Sequence, residues 1–519
     1  MSGFVVRGST VFDGSGGAPQ RADVRVRDGL VAEVGAGLAV LPGETVVEAQ
    51  GLEILPGFVD VHSHDDAALF RAGALAPKTG QGVTTTVIGN CGLGVAPSSP
   101  GLAESAAPVL GPFPAGTWAT FGDYLVAVAA SARSVNTVAL VPHAPLRAAA
   151  RGLERGPASP AEIDLIAGTA RDALDAGAAG ISLGLMYSPG DSAERPELLA
   201  LARAAASRGK LLVAHIRNEA DHLLESIDEL ASLGFSSGAS VHISHLKVTG
   251  PANRGSMPRI LQHLDDLRGD GLDITCDVYP YDAGSTTVVS LFPPWAQSGG
   301  AAGLVRLLSS TAGRAEVLAS LASPWEGTAL ENQWAAIGPA RIVVAGFSDH
   351  ALVAYEGLSV DAIAASRGQD PLETLADLVV ATDAQLTVIV FHTDADGMRN
   401  ALEWEHTLVG SDGLPRETGF VHPRLFGTFP AALALAGPAP AARARMIRRM
   451  TQDATARFGI AGRGRLAPGF AADLQLIDPA AYADRASYAE PRRGPAGLRA
   501  VHIAGVAVTT APAGRFLAA

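Results

Sequence analysis

Pro56-Gly57-Phe58-Val59-Asp60-Val61-His62-Ser63-His64-Asp65-Asp66 is the stretch whose reading decides the fold of this chain. A short apolar run leaves a Pro-Gly turn and ends abruptly in side chains that can ligate metal. Side chains of an extended segment alternate between two faces, so His62 and His64 point the same way. Two imidazoles placed like this can hold one ion. HxH alone is a weak signal, but it gains weight at the polar end of an apolar strand.

Outward from that stretch the same construction recurs. Short apolar runs alternate with helical patterns, the signature of βα units. The runs fall at 57–61, 83–88, 137–141, 180–183, 211–214, 241–244, 272–276 and 407–409. Between them the pattern predicts helices such as 160–176, with Ser159 as N-cap, and 196–208. Eight repeats predict a (β/α)8 TIM-like barrel over residues 56–461. The seventh and eighth runs are separated by an insertion, 285–405, with strand-like segments of its own at 341–344 and 387–391; so long a connection predicts a lid over the site. Alternating segments at both ends of the chain predict a small β-sandwich built from residues 1–55 plus 462–519.

The barrel reading gives the polar residues a common address, because side chains from different strands converge only where the strands end. The second run ends in Gly89-Asn90-Cys91-Gly92 and the fifth in His215. The sixth ends in His245, with Lys247 on the same face, and the eighth in Gly410-Ser411-Asp412-Gly413. Taken singly, a buried cysteine reads as inert core and a lone histidine as structural. Their shared coincidence with strand ends reads as one site. Zinc takes nitrogen and sulfur ligands, and a catalytic site keeps one position open for water. Cys91, His215 and His245 form such a three-ligand set; His62 and His64 suit a second, weaker ion, with the Cys91 thiolate able to bridge. The ion would lower the pKa of its water to about 7. Asp412 would then accept a proton and deliver it to a leaving nitrogen.

Composition narrows the function classes. The 519 residues are 48% hydrophobic and 18% charged, enough for a large core. A formal net charge of −13 argues against nucleic acid and anionic membrane partners. No signal-like start and no apolar run of about 18 residues is visible, so the expected address is cytoplasmic. Two cysteines, Cys91 and Cys276, cannot form a disulfide framework.

With these residues in view, the chain resembles the N-acyl-D-amino-acid deacylases (D-aminoacylases) of the metal-dependent amidohydrolase superfamily. The likeness is carried by the opening stretch, Gly89 to Gly92, Ser182 to Gly190, His215-Ile216-Arg217 and Ile243 to Lys247. It continues through Asp277-Val278-Tyr279-Pro280-Tyr281, Gly410 to Pro415, His422 to Pro430, and Arg463 to Gly469 leading into Ala472-Asp473-Leu474. Gln452-Asp453 depart from the family's usual residues, away from the proposed site. The resemblance implies the same barrel, sandwich and insertion, and the same metal and acid/base roles. It further implies that Arg424, Lys247 and Tyr281 bind the carboxylate of a small N-acyl amino acid and that Tyr187 lines the pocket. An arginine fork and a lysine point charge suit that carboxylate.

Two rivals are weighed against this reading. Hydantoinases and dihydroorotases usually bridge two metals with a carboxylated lysine after the fourth strand; here Leu183-Gly184-Leu185-Met186 stand there, with no lysine between Lys78 and Lys210. A barrel reduced to a scaffold would lose metal ligands, yet all six expected metal positions, His62, His64, Cys91, His215, His245 and Asp412, are filled. Acyl group, side chain and oligomeric state are not legible in the sequence.

Overall fold

A computed structural model describes residues 3–113, 118–131, 133–325, 329–347, 352–509 and 511–519. Its centre is a parallel barrel of eight strand positions: β1 (Phe58–Asp60), β2 (Val83–Ile88), β3 (Asn136–Ala139, resuming at Val141–Pro142), β4 (Gly180–Gly184), β5 (Leu211–His215), β6 (Val241–Ile243), β7 (Ile274–Val278) and β8 (Thr407–Val409). Every ladder between neighbours is parallel, β1 to β2 to β3 and then onward to β8. Strands buried on both faces read as continuous apolar runs, which is why these segments stood out.

Closure of β8 onto β1 determines where the site forms. There the backbone pairing is reduced to one bridge, Ser63 with Gly413, beside the Asp412 N–H donating to the His62 carbonyl at 2.8 Å. Side chains reinforce the seam. Fully buried Lys78 donates to Asp60 Oδ2 (2.6 Å) and Ser411 Oγ (2.7 Å), and Asp60 Oδ1 accepts from the Ser411 N–H (2.8 Å). A buried charge survives when it is paired and hydrogen-bonded in this way. The clamp fixes the His62 and Asp412 strand ends against each other.

The helices follow the expected signals. Pro160–Asp175 starts with a capping box between Ser159 and Glu162, and Arg195–Ala206 presents Leu198, Leu201 and Ala202 to the barrel. The seventh strand lies two residues beyond its expected place, because Gly271 to Asp273 complete the turn from the preceding helix. Asp277 is therefore a strand residue.

Both chain ends contribute to one eight-stranded sheet, in the order 506–507, 498–503, 474–477, 53–56, 4–11, 20–27 and 30–35, with 45–48 also pairing to 4–11. That branch folds the sheet around Val6, Val24, Val31, Ile54, Leu474 and Leu476. The last residues leave it: Leu517 N–H donates to the Thr137 carbonyl at 2.8 Å, on β3. After β7, a separate antiparallel sheet of Gly284–Thr287, Thr387–Val390 and Ile342–Ala345 carries its own helices and its own core, including Phe292, Leu304, Leu375 and Val388. Helix Ala395–Glu403 already packs back into the barrel through Ala401. Among the described residues no helix is long and apolar enough to cross a membrane.

Candidate metal and substrate site

The expected ligands converge at the mouth of the barrel. Cys91 Sγ lies 3.2 Å from His62 Nε2 and 3.4 Å from His245 Nε2. Ligand atoms of Cys91, His215 and His245 all lie within 4.8 Å of one another, as do those of His62, His64 and Cys91, and those of His62, His245 and Asp412. Asp412 Oδ1 sits 3.1 Å from His64 Nε2 and 3.6 Å from His62 Nε2. All six side chains are buried.

Local backbone geometry aims these groups. Cys91, His245 and Asp412 are three of only seven described non-glycine residues with positive φ, at 55°, 37° and 48°. Such conformations cost about 1–3 kcal/mol each and persist where surrounding structure enforces them. The Cys91 turn is held by close backbone approach: a Cβ on Gly92, itself at φ 66°, would lie 2.4 Å from the Gly184 nitrogen. The neighbouring Gly92 N–H donates to Ser182 Oγ at 2.7 Å. Strand ends place the ligands roughly, and strained turns finish the aiming.

Electrostatics match metal chemistry. Burial would raise the Cys91 thiol, but the imidazoles of His62 and His245 hold it well below the ordinary thiol range. Burial, then His245, lowers His215, favouring the neutral ring a metal needs. Neither ring nitrogen of buried His215 has a hydrogen-bond partner among protein groups. Orphaned polar atoms of this kind call for an explanation, and a soft nitrogen–sulfur set suits zinc. The residues present fit the ion.

Several supporting groups were not singled out in the sequence. Asp277 receives the His245 N–H at Oδ1 (2.9 Å) and meets His62 Nδ1 (3.2 Å) and His242 Nε2 (3.0 Å) through Oδ2. Burial would raise its carboxyl, yet His62 and His242 hold it far below the ordinary value. An outer carboxylate like this orients a ligand imidazole. The signal for it was the one used for Asp412, a polar residue ending an apolar strand, hidden by placing that strand two residues early. Glu219, four residues after His215, accepts from Lys247 Nζ at 2.5 Å and lies 3.3 Å from His245 Nδ1.

The substrate-side residues divide. A cleft over the metal ligands is lined by His64, Tyr187, His215, Glu219, His245, Lys247, Tyr279 and Asp412, with Ser285, Thr286, Gln333, Val390 and His392 supplied by the insertion. Tyr187 and Lys247 thus line it as expected, and the Tyr187 hydroxyl lies 3.0 Å from Thr286 Oγ1. Arg424, fully buried, pairs with Asp412 Oδ2 at 2.8 Å, donates to the Ser285 carbonyl at 3.0 Å and stacks over Tyr279 at 4.7 Å. Burial would raise Asp412, but Arg424 and His62 hold it well below the carboxylate range. Tyr281 is placed elsewhere. Its hydroxyl donates to Asp484 Oδ2 at 2.8 Å, and it is not among the lining residues. Tyr279 takes the inner position because the chain turns as it leaves β7, the Tyr281 N–H donating to the Tyr279 carbonyl at 2.9 Å, so the two rings do not share a face. Its buried hydroxyl has no protein partner.

A ligand-bearing cleft at the strand ends of a parallel barrel places the protein among the amidohydrolases, and the model of the amidohydrolase family matches residues 45–266. The chain is 34% identical to N-acyl-D-glutamate deacylase of Alcaligenes xylosoxydans xylosoxydans, covering 97% of this chain and 93% of that one. It is 32% identical to the D-aminoacylase of the same organism, over 99% and 97%. Among solved structures, N-acyl-D-glutamate deacylase from Bordetella bronchiseptica, complexed with zinc and a phosphonate mimic of the tetrahedral intermediate, superposes with a TM-score of 0.83 at 32% identity, over 99% of both chains. The chain belongs to the N-acyl-D-amino-acid deacylase family. D-Hydantoinase, at 13% identity and TM-score 0.54, shares the fold alone.

Proposed function

We propose that this chain hydrolyses the amide bond of N-acyl-D-amino acids, releasing a carboxylate and a free D-amino acid. Zinc held by Cys91, His215 and His245, with a second weaker position at His62 and His64, would polarise the scissile carbonyl and acidify a water to a pKa of about 7. The observation that carries the reading is the Cys91 sulfur within 3.4 Å of His245 Nε2 and 3.2 Å of His62 Nε2, beside the unpartnered ring of His215.

The remaining work falls to the chain's own side chains. Asp412, ionised and facing His64, accepts the proton of the attacking water and returns it to the leaving nitrogen, because an amine leaves poorly unless protonated. Arg424 exchanges Asp412 and the Ser285 carbonyl for the substrate carboxylate, with Lys247 as a second positive charge. Tyr187 borders the reacting centre, while the Tyr281 ring packs against His422, whose Nδ1 accepts the Arg424 N–H at 3.0 Å. Ser285, Thr286, Gln333, Val390 and His392 of the insertion wall the cleft, and the insertion would limit water entry there as a lid.

Turnover of N-acetyl-D-methionine and N-acetyl-L-methionine, before and after chelation and zinc return, tests the reading. Activity on the D form that chelator removes and zinc restores is expected. Zinc-loaded protein inactive on every N-acyl amino acid would contradict it.

A further inference from the structure

The relatives do not fix which side chain this chain accepts: those named for D-glutamate and D-aspartate match at 34% and 31%, and the D-aminoacylase at 32%. The charges lining the cleft do discriminate. Lys247 is the one lysine or arginine among the described lining residues, and Glu219 already accepts from it at 2.5 Å. The only other guanidinium at hand in the described site, Arg424, is paired to Asp412 at 2.8 Å.

Every N-acyl amino acid brings one α-carboxylate, and that group claims Arg424 and Lys247. A second carboxylate, on the side chain, would find no unshared cation among the described lining residues, and the Glu219 carboxylate in the same lining would repel it. His392 does not help: burial, then Lys247, pushes its pKa down to about 3, so it is neutral. The rest of the lining is apolar, with Leu93, Val109, Met186, Leu291, Ile337 and Val390, or neutral and polar, as at Ser290 and Gln333. Burying an unpaired charge is far costlier than burying a neutral isostere, whereas an apolar side chain gains by leaving water.

We infer that the cleft selects N-acyl-D-amino acids with an uncharged, apolar side chain and rejects those carrying a side-chain carboxylate. The inference rests on the deacylase reading and adds the substrate class to it.

Glutamine and glutamate are near-isosteres, so comparing them isolates the charge. With the zinc-loaded full chain, kcat/KM is measured for N-acetyl-D-leucine, N-acetyl-D-glutamine and N-acetyl-D-glutamate. Leucine should lead, and glutamine should exceed glutamate by about tenfold or more. Glutamate equal to or better than glutamine would overturn the selectivity while leaving deacylation standing. No turnover of any of the three would instead sink the deacylase reading beneath it.

Discussion

The two cysteines of this chain occupy two regions of one barrel, and their difference shows what a strand end does. Cys276 lies within β7, opposite Thr407 of β8, with its sulfur 3.2 Å from the Thr407 hydroxyl. Burial pushes its thiol up to about 12. Cys91 is equally buried but sits on a left-handed turn just past β2, among imidazoles that hold its thiol well below the ordinary range. Residue type and burial are shared; address and company differ. A cysteine in the barrel wall packs, whereas one at the mouth is placed to ligate.

Cys91→Ala should therefore remove tight zinc and lower kcat/KM on the order of 10³-fold or more. Cys276→Ala should keep metal and activity and cost only about 1 kcal/mol of stability. Metal analysis with steady-state kinetics on both variants checks the contrast, which fails if the two behave alike.

Asp412→Asn should retain zinc while losing about 10²–10⁴-fold in kcat, because proton transfer disappears and ligation survives. Near-normal kcat would remove Asp412 from the chemistry. Arg424→Ala should raise KM for free N-acyl amino acids about 10–100-fold and affect a carboxyl-methylated substrate far less. An equal effect on both substrates would end the carboxylate-clamp role.

A buried cluster on the barrel's flank sharpens the comparison from the other side. Glu197 meets His143 Nε2 at 2.7 Å and pairs with Arg147, yet among the described residues no convergent ligand set surrounds it. Burial would raise its carboxyl, but His143 and Arg147 pull it from 4.5 to about 2. A folded-state pKa below the unfolded value contributes stability that is full above the unfolded value and is lost as pH falls through the folded one. The window is thus about pH 4.5 down to 2. Glu197→Gln should lower stability at pH 7 by about 2 kcal/mol, with the gap to wild type closing toward pH 2 in denaturant titrations. Activity of the folded variant should be unchanged.

The barrel and its metal pole were legible because both rest on local pattern: apolar runs mark the strands, and polar residues at their ends mark the site. The opposite wall was not. Thr286, Gln333, Val390 and His392 reach the cleft from an insertion whose sheet pairs 284–287 with 387–390 across about a hundred residues, and no short-range spacing encodes such a meeting. Asp277 was obscured by a strand boundary, the least reliable feature of a pattern reading. Tyr279 rather than Tyr281 lines the cleft because the chain turns just past β7, with the Tyr281 N–H bonded to the Tyr279 carbonyl, and the alternation of a strand does not extend through such a turn.

X-ray absorption at the zinc edge of the one-zinc protein tests the central claim most directly. One sulfur at about 2.3 Å, together with nitrogen or oxygen ligands near 2.0–2.1 Å, is expected. A shell of nitrogen and oxygen alone would show that the Cys91 thiolate does not hold the ion, and the account would fail there.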